Sequence, residues 1–177
     1  MSLAPGLILR AGTPGDAGFI QHLHEESIRG LGPRCYSRAE VESWVSSLIP
    51  SGYIRAMTQG GESFLLAEPA KNAGGRLAGF CSYTRDEIEG LYVHPRWARR
   101  GVGSALLLRA EAAILAAGGR VVRLSASLIG QPLYEKHGYR IVGSRQHRTR
   151  MGLIVLVREM EKDLARAPAH GRDRRRG

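Results

Sequence analysis

The sequence predicts an α/β protein in which helices flank one central sheet. Apolar runs of strand length recur along the chain, and segments whose apolar residues lie three or four apart stand between them. The predicted order of elements is βααβββαβαββ, and the length of 177 residues suits one domain with a sizeable core. We therefore assign residues 1–162 to one domain and residues 163–177, which mix Pro, Gly and Arg, to a disordered basic tail.

The first half of the chain is predicted to form a strand, two helices and three more strands. A strand over 7–10 precedes Thr13-Pro14-x-Asp16, where a capping residue and an early proline begin the first helix. Ser37-x-x-Glu40 is a capping box that begins a second, amphipathic helix. Strands are predicted at 63–68, 77–83 and 87–93, with a hairpin-like connection over 69–75.

The second half continues with a helix that begins at a glycine-containing turn. Apolar residues recur three or four apart from Val102 to Ala117, and Gly118-Gly119 end this helix. The remaining elements are predicted, in order, as a strand over 121–126, a short helix over 132–137, and strands over 139–143 and 150–160.

Composition indicates a cytoplasmic protein. No apolar stretch approaches the roughly eighteen residues that a membrane span needs, and the N-terminus lacks the charged and apolar regions of a signal peptide. Cys35 and Cys81 stand far apart, with no C-x-x-C pair and no His/Cys ligand spacing. We therefore expect two reduced structural cysteines, no disulfide framework and no metal site.

The formal net charge of +10 has two interpretations. Nearly all of the excess is arginine, which fits a bias in genomic base composition, whereas a basic face would also collect phosphate-bearing ligands or another anionic partner. An arginine-rich nucleic-acid binder is therefore an alternative, and it predicts a steep salt dependence. No aromatic residue stands among the arginines of the tail for base stacking, so nucleic acid is the weaker interpretation.

A basic, glycine-containing turn between a strand and a helix is a candidate phosphate-binding site. Gly101 and Gly103 lack a Cβ, so the backbone can approach a ligand closely. The first amides of the following helix are free donors at the positive end of its dipole. Arg99 and Arg100 add guanidinium groups that suit phosphate oxygens.

The turn matches neither of two common nucleotide motifs. The Walker pattern needs Lys and then Ser or Thr after the second glycine, where Ser104-Ala105 stand. The dinucleotide fingerprint needs a third Gly or Ala where Leu106 stands. The ligand is therefore expected to be neither ATP held by a P-loop nor NAD.

Three segments in a fixed order resemble the GCN5-related N-acetyltransferase (GNAT) superfamily. They are Leu91-Tyr92-Val93-x-Pro95, the run Arg-Arg-Gly-Val-Gly-Ser-Ala-Leu-Leu that starts at Arg99, and Leu133-Tyr134-Glu135-Lys136-His137-Gly138-Tyr139. The resemblance implies a mixed, mostly antiparallel sheet with a splay between the strand that carries Val93 and the strand that carries Leu124. It also implies that the glycine turn binds the pyrophosphate of acetyl-CoA and that the pantetheine arm enters the splay.

The resemblance also implies which residues contact the cofactor. Ala98 departs from the family turn pattern, which has Gln or Arg at that position. Ser127 stands where many members have Asn, and a serine can make only part of the hydrogen bonds of that amide. The predicted cofactor-binding residues are Leu91, Tyr92, Val93, Arg99, Arg100, Gly101, Val102, Gly103, Ser104 and Ser127.

Acyl transfer to an amine calls for a general base. A lysine-like amine has a pKa near 10.4, so its deprotonation at pH 7 costs roughly 4 to 5 kcal/mol. Glu87 and Glu89 lie two apart on a predicted strand, so we expect both side chains on the face that carries Leu91 and Val93. Both are candidate bases, with Glu87 preferred, and solvent-facing charges are the alternative.

Two further groups are expected to assist the transfer. Tyr134 stands where the family commonly places the general acid for the leaving thiolate, and a tyrosine packed in the core is the alternative. A free backbone amide near Val93 could donate to the acetyl oxygen.

The sequence leaves the acceptor open. The resemblance places its selection in residues 27–53 and 144–149, where several arginines either recognise a carboxylate or keep the surface soluble, and no acidic cluster marks a polyamine pocket. A small primary amine or amino-acid-like compound is the leading acceptor, and a protein N-terminus or lysine is the rival. A closed pocket between the two segments would favour the small acceptor, and an open groove would favour the protein. A non-catalytic coenzyme A-binding module is a third alternative, and the sequence leaves a homodimer open.

Overall fold

The computed structural model describes residues 6–70, 76–149 and 151–165. The N-terminal segment before residue 6, part of the connection over 69–75 and the basic tail from residue 166 lie outside the described residues. The division of the chain into a domain and a tail therefore stays a prediction.

The described strands form one seven-stranded sheet. Its order is β1-β2-β3-β4-β5-β7-β6, and every neighbouring pair is antiparallel except the parallel pair of β4 and β5. This confirms the expected mixed, mostly antiparallel sheet. The strands are β1 Leu7–Ala11, β2 Ser63–Pro69, β3 Gly79–Tyr83, β4 Glu87–Val93, β5 Val121–Ser127, β6 Arg140–Arg148 and β7 Ile154–Asp163.

Helices cover both faces of this sheet. The helices α1 and α3 bury an apolar cluster with Phe64 and Phe80, whereas α4 packs over a second cluster that contains Cys81 and Leu124. None of the helices in the described residues is both long and apolar enough to cross a membrane. The helices are α1 Ala17–Leu31, α2 Arg38–Val45, α3 Pro50–Thr58, α4 Val102–Ala116 and α5 Gln131–Lys136.

Hydrogen bonds at Asp16 hold the start of α1 in place. The carboxylate accepts two bonds from Arg10, at 2.7 and 2.9 Å, and two from the amide and hydroxyl of Thr13, at 2.8 and 2.9 Å. The bond to the Arg10 guanidinium lowers the pKa of Asp16 to about 2, although burial opposes the shift. The start predicted at Thr13-Pro14-x-Asp16 is therefore correct, although residues 14–16 form a 3-10 turn before the α-helix.

The helix α3 is absent from the prediction. Pro50 occupies its first turn, Ile49 precedes it without a side-chain cap, and Gly52 lies inside it, so the sequence looks like a loop. Packing overrides this weak propensity, since Tyr53 and Met57 lie against the cluster around Phe64 and Phe80.

The strands β4 and β5 separate after a short parallel contact. Only Glu87 and Ile88 pair with β5, opposite Arg123 and Leu124, and the next five residues of β4 have no partner on that side. The sheet therefore opens where the resemblance implies a splay. The opening faces the start of α4, because Leu91 and Val93 pack in the cluster beneath that helix.

Candidate active site

A β-bulge in β4 sets the direction of the candidate catalytic side chains. Ser82 pairs with Gly90 whereas Tyr83 pairs with Ile88, so Glu89 is an extra residue on its strand. A bulge of this kind re-aims the side chains next to it, because the alternation of faces shifts by one position.

The expectation that Glu87 and Glu89 share a face with Leu91 and Val93 is wrong, because the bulge breaks the alternation. Leu91 and Val93 pack towards α4, whereas Glu89 lines a cavity on the opposite face of the strand. Glu87 is half-buried at the start of β4 and is not part of the lining of this cavity.

The unpaired edge of β4 carries free backbone donors. The His94 amide donates to Ala78 O at 3.0 Å, towards β3. Because amides alternate between the two edges of a strand, the amides of Leu91 and Val93 point to the other edge, where the sheet opens. The opening thus contains the free amide that acyl transfer would use.

The glycine turn has the geometry of an anion-binding site. Arg99 and Gly101 are both left-handed, with φ of 64° and 82°, and Gly101 precedes the first residue of α4. Ala105 makes the first bond of the helix, from its amide to Gly101 O at 3.0 Å. The amides of the three residues before it, from Val102 to Ser104, have no acceptor in the helix, and no side chain caps its start.

Gly103 lies where the helix, β4 and α5 meet. A Cβ on this residue would lie 3.2 Å from Leu133 Cδ2 and 3.5 Å from both Leu91 Cδ2 and Val93 Cγ2. A bare backbone therefore keeps the first turn of α4 close to the opening between β4 and β5.

The two arginines of the turn differ in their contacts. Both side chains are exposed, and the Arg100 guanidinium lies 5.6 Å from the centre of the Trp97 ring, within cation–π range. Arg99 makes no ion pair with the described residues. Both guanidinium groups therefore lie at the surface beside the turn.

Ser127 and Tyr134 lie together on the β5 side of the opening. Both side chains approach the position of Gly130, because a Cβ there would meet Ser127 Oγ at 3.1 Å and Tyr134 Cε2 at 3.5 Å. Ser127 Oγ accepts a bond from the Gly130 amide at 3.1 Å. Tyr134 is buried against Tyr139, and burial raises its pKa, so the phenol keeps its proton at neutral pH.

A cavity of about 390 Å³ lies on the other face of β4, beneath α1 and α3. Tyr92 forms part of its wall, so this side chain points away from α4 and only the backbone of Tyr92 borders the opening between β4 and β5. The strand β4 is therefore the wall that separates the cavity from the opening. The other aromatic residues of the lining are Tyr53, Phe64 and Phe80.

Two carboxylates line this cavity, one from the residue before β2 and one from β4. Glu62 directly precedes β2 and is half-buried, whereas Glu89 is more exposed on β4. Burial raises the pKa of Glu62. Burial, followed by the charges of Glu87, Glu62 and Asp86, raises the pKa of Glu89. These two residues form no acidic cluster in the sequence, because they are 27 positions apart in the chain.

A neutral histidine completes the aromatic wall. His24 Nδ1 lies 2.9 Å from the Tyr53 hydroxyl, and the imidazole lies 3.6 Å from the Tyr92 ring, centre to centre. Burial lowers the pKa of His24 to about 3, so the ring carries no charge at neutral pH. Its Nε2 is buried without a hydrogen-bond partner among the described residues.

The segment over 27–53 is joined to the strands on the far side of the opening. Tyr36 Oη accepts a bond from the Leu128 amide at 2.8 Å and donates to Leu156 O at 3.0 Å. Ser43 Oγ on α2 lies 2.5 Å from Thr149 Oγ1, and both groups are buried. These contacts join the segment over 27–53 to β7 and, through Ser43, to Thr149.

The sequence of the chain matches a family of enzymes over most of its length. A family model described as "Acetyltransferase (GNAT) domain" matches residues 34–163. The chain belongs to the GNAT acetyltransferase family. It is therefore an N-acetyltransferase, and the splayed sheet and glycine turn described above lie within the matched residues.

Solved structures of GNAT proteins have the same fold as this GNAT chain. A GCN5-related N-acetyltransferase from Rhodopseudomonas palustris is 26% identical, with 92% of this chain and 99% of that chain covered and a TM-score of 0.81. PaiA N-acetyltransferase from Thermoplasma acidophilum, solved with coenzyme A, is 22% identical, with 89% and 98% covered and a TM-score of 0.68. YncA, a putative acetyltransferase from Salmonella typhimurium solved with acetyl-CoA, is 17% identical, with 93% and 97% covered and a TM-score of 0.65. No curated protein matches this sequence.

Two other candidate nucleophiles or bases of this GNAT protein, Cys81 and His94, are buried or have structural partners. Cys81 is fully buried and burial raises the pKa of its thiol, as expected for an inert cysteine, whereas Cys35 is exposed. His94 Nε2 lies 3.0 Å from Glu26 Oε2 and its Nδ1 accepts from the Arg96 amide. His94 therefore ties the end of β4 to α1.

Proposed function

We propose that this GNAT protein transfers the acetyl group of acetyl-CoA to a primary amine of a small molecule. The observation that carries the choice of acceptor is the cavity of about 390 Å³ beneath α1 and α3, which has the size of a small-molecule site and whose wall is the strand that borders the cofactor opening. Contacts of Tyr36 with β7 and of Ser43 with Thr149 also join the segments that the resemblance assigns to acceptor selection, which favours a small acceptor over an extended peptide.

The residues of the glycine turn suit acetyl-CoA. The free amides of Val102, Gly103 and Ser104 would hold the pyrophosphate, and Arg99 and Arg100 would add charge. The opening between β4 and β5 would admit the pantetheine arm, with Ser127 beside it. The relatives solved with coenzyme A and acetyl-CoA support this assignment.

Three groups of this chain would carry the reaction. Bound acetyl-CoA supplies an activated thioester, and the amide of Val93 or Leu91 donates to its carbonyl oxygen. Glu89 takes a proton from the acceptor ammonium, and the freed nitrogen attacks, so that a C–N bond forms and the C–S bond breaks. As the intermediate collapses, Tyr134 gives its proton to the leaving sulfur, and the second proton that the nitrogen loses restores the phenol through water. Glu89 fits the role of base better than Glu87, because only Glu89 lines the cavity.

The test of this function compares acceptors. The protein is incubated with acetyl-CoA and either short primary amines or peptides that carry a free N-terminus and a lysine, at equal amine concentrations. Coenzyme A release and product mass are then measured. Acetylation of the small amines with the higher kcat/KM supports the proposal, and preference for the peptides contradicts it. Tight acetyl-CoA binding without turnover on any amine would indicate a non-catalytic binding module instead.

Removal of the Tyr134 hydroxyl is expected to slow the reaction without loss of cofactor affinity. Tyr134→Phe should lower kcat by about 10²-fold, because the thiolate then leaves without a positioned proton donor. The matched control is Tyr139→Phe, since the two rings lie 5.6 Å apart and the variant removes the same hydroxyl from a neighbouring buried tyrosine. Equal kcat values for the two variants would assign Tyr134 to the core alone.

A further inference from the structure

The acceptor cavity holds a pair of carboxylates without a cationic partner. Neither Glu62 nor Glu89 forms an ion pair with the described residues, although the chain has 26 Lys and Arg against 16 Asp and Glu. Glu62 and Phe64 lie two residues apart and line the same cavity, and Ser82 and Gly90 of the next two strands line it as well.

The two carboxylates stand on opposite sides of one strand. Phe64 on β2 pairs with Ser82 on β3, and Ser82 pairs with Gly90 on β4, so β3 lies between the two acidic residues. Neighbouring strands are about 4.8 Å apart, so the backbones that carry Glu62 and Glu89 are roughly 10 Å apart. One ammonium cannot bind closely to both carboxylates unless both side chains converge on it, whereas two cationic groups joined by a short chain fit this spacing.

No other group of the wall neutralises this pair. His24 is uncharged, and its buried Nε2 lacks a partner among the described residues, so the wall also holds an unused polar atom. Arg55 is exposed on the α3 side of the lining, where it would repel a cation. The aromatic rings that line the same cavity suit a methylene chain and attract cations through their faces.

We propose that Glu62 is a specificity-determining residue and that the preferred acceptor is an aliphatic amine with a second cationic group. The reacting ammonium lies at Glu89 and the second cation lies at Glu62, so each cavity carboxylate gains a partner. This inference rests on the proposed function, because it assigns the substrate class of the same cavity. Glu62 contacts the acceptor and takes no part in proton transfer.

The experiment uses three acceptors of one length with different ends. Alkyl monoamines, α,ω-diamines and ω-amino acids of three to six carbons are compared by kcat/KM with saturating acetyl-CoA. The diamine should exceed the matched monoamine by at least about tenfold, and the amino acid should be the poorest acceptor. In Glu62→Gln the diamine should lose about tenfold while the monoamine changes by less than about twofold. The matched control is Glu42→Gln on α2, which removes the same charge from an exposed ion pair with Arg29 outside this cavity.

Three results would overturn the inference while leaving the proposed function in place. The first is an equal kcat/KM for monoamine and diamine, and the second is an equal decrease in kcat/KM for both amines in Glu62→Gln. The third is the ω-amino acid as best acceptor, which would point to Arg55. Absence of turnover with every amine would instead contradict the proposed function. Calorimetric titration of the diamine and monoamine into the protein with coenzyme A then tests Glu62 by itself. Selective diamine binding that Glu62→Gln removes supports the inference, and binding without that selectivity overturns it.

Discussion

Gly101→Asp is expected to weaken acetyl-CoA binding by at least about 100-fold, which is about 2.7 kcal/mol. The new carboxylate would stand at the start of α4, where the free amides would hold the phosphates. Like charges then repel each other at the place where the pyrophosphate would lie. A side chain at φ 82° also strains the turn by about 1 kcal/mol, although no atom lies within 4 Å of the new Cβ.

The other end of the same helix supplies the control. Gly118 is left-handed at φ 87°, and a Cβ there would also meet nothing within 4 Å. The helix dipole favours an acidic group at the N-terminus and disfavours one at the C-terminus, by roughly 0.3 to 1 kcal/mol each. Gly118→Asp should therefore lower the free energy of unfolding more than Gly101→Asp does, yet leave acetyl-CoA binding unchanged.

Calorimetric titration and urea unfolding measure the two quantities separately. The titrations use acetyl-CoA, coenzyme A and ATP with each variant. Selective binding of the first two by the wild type, lost only in Gly101→Asp, assigns the pyrophosphate to the glycine turn. Equal affinities in the two variants would mean that the turn is structural, and parallel losses of stability and binding would mean that Gly101→Asp disrupts the fold.

Local signals predicted most of the fold. The bounds of β4, predicted over 87–93, match those of the structure, and the capping box at Ser37 begins α2 as expected, since Ser37 Oγ accepts from the Glu40 amide at 3.3 Å. The errors occur where long-range contacts decide. The strand predicted over 139–143 extends to Arg148, because β6 pairs with β7 as far as that residue, and α3 forms only because its apolar face is covered.

In the candidate site, too, the local features could be predicted from the sequence and the long-range ones could not. The glycine turn was identified because its residues are contiguous, whereas the cavity is built from α1, α3, β2, β3 and β4. Glu62 carried one usable signal, since strict alternation with Phe64 and Leu66 places it on the same face of β2. The bulge at Glu89 carried none, because it depends on how β3 and β4 pair.

Glu89→Gln is expected to lower kcat/KM by about 10² to 10⁴-fold at pH 7. The variant would lose both the base and the partner of the acceptor ammonium at the cavity. Because the free amine is then the only reactive form, the rate of the variant should rise about tenfold per pH unit towards the amine pKa near 10.4. The deficit against the wild type should therefore shrink as the pH rises.

The wild type and Glu87→Gln show in which direction kcat/KM changes with pH. Burial, and next the Glu87 charge, raise the pKa of Glu89, so wild-type kcat/KM should fall as the pH decreases through that raised pKa. Glu87→Gln removes one negative charge near Glu89 but leaves the Glu89 carboxylate in the cavity. The fall of kcat/KM at acidic pH should therefore occur at a lower pH, and kcat/KM at pH 7 should decrease by less than about tenfold. A larger loss in Glu87→Gln than in Glu89→Gln would assign the base to Glu87. Its carboxylate would then have to reach the acceptor from outside the cavity lining.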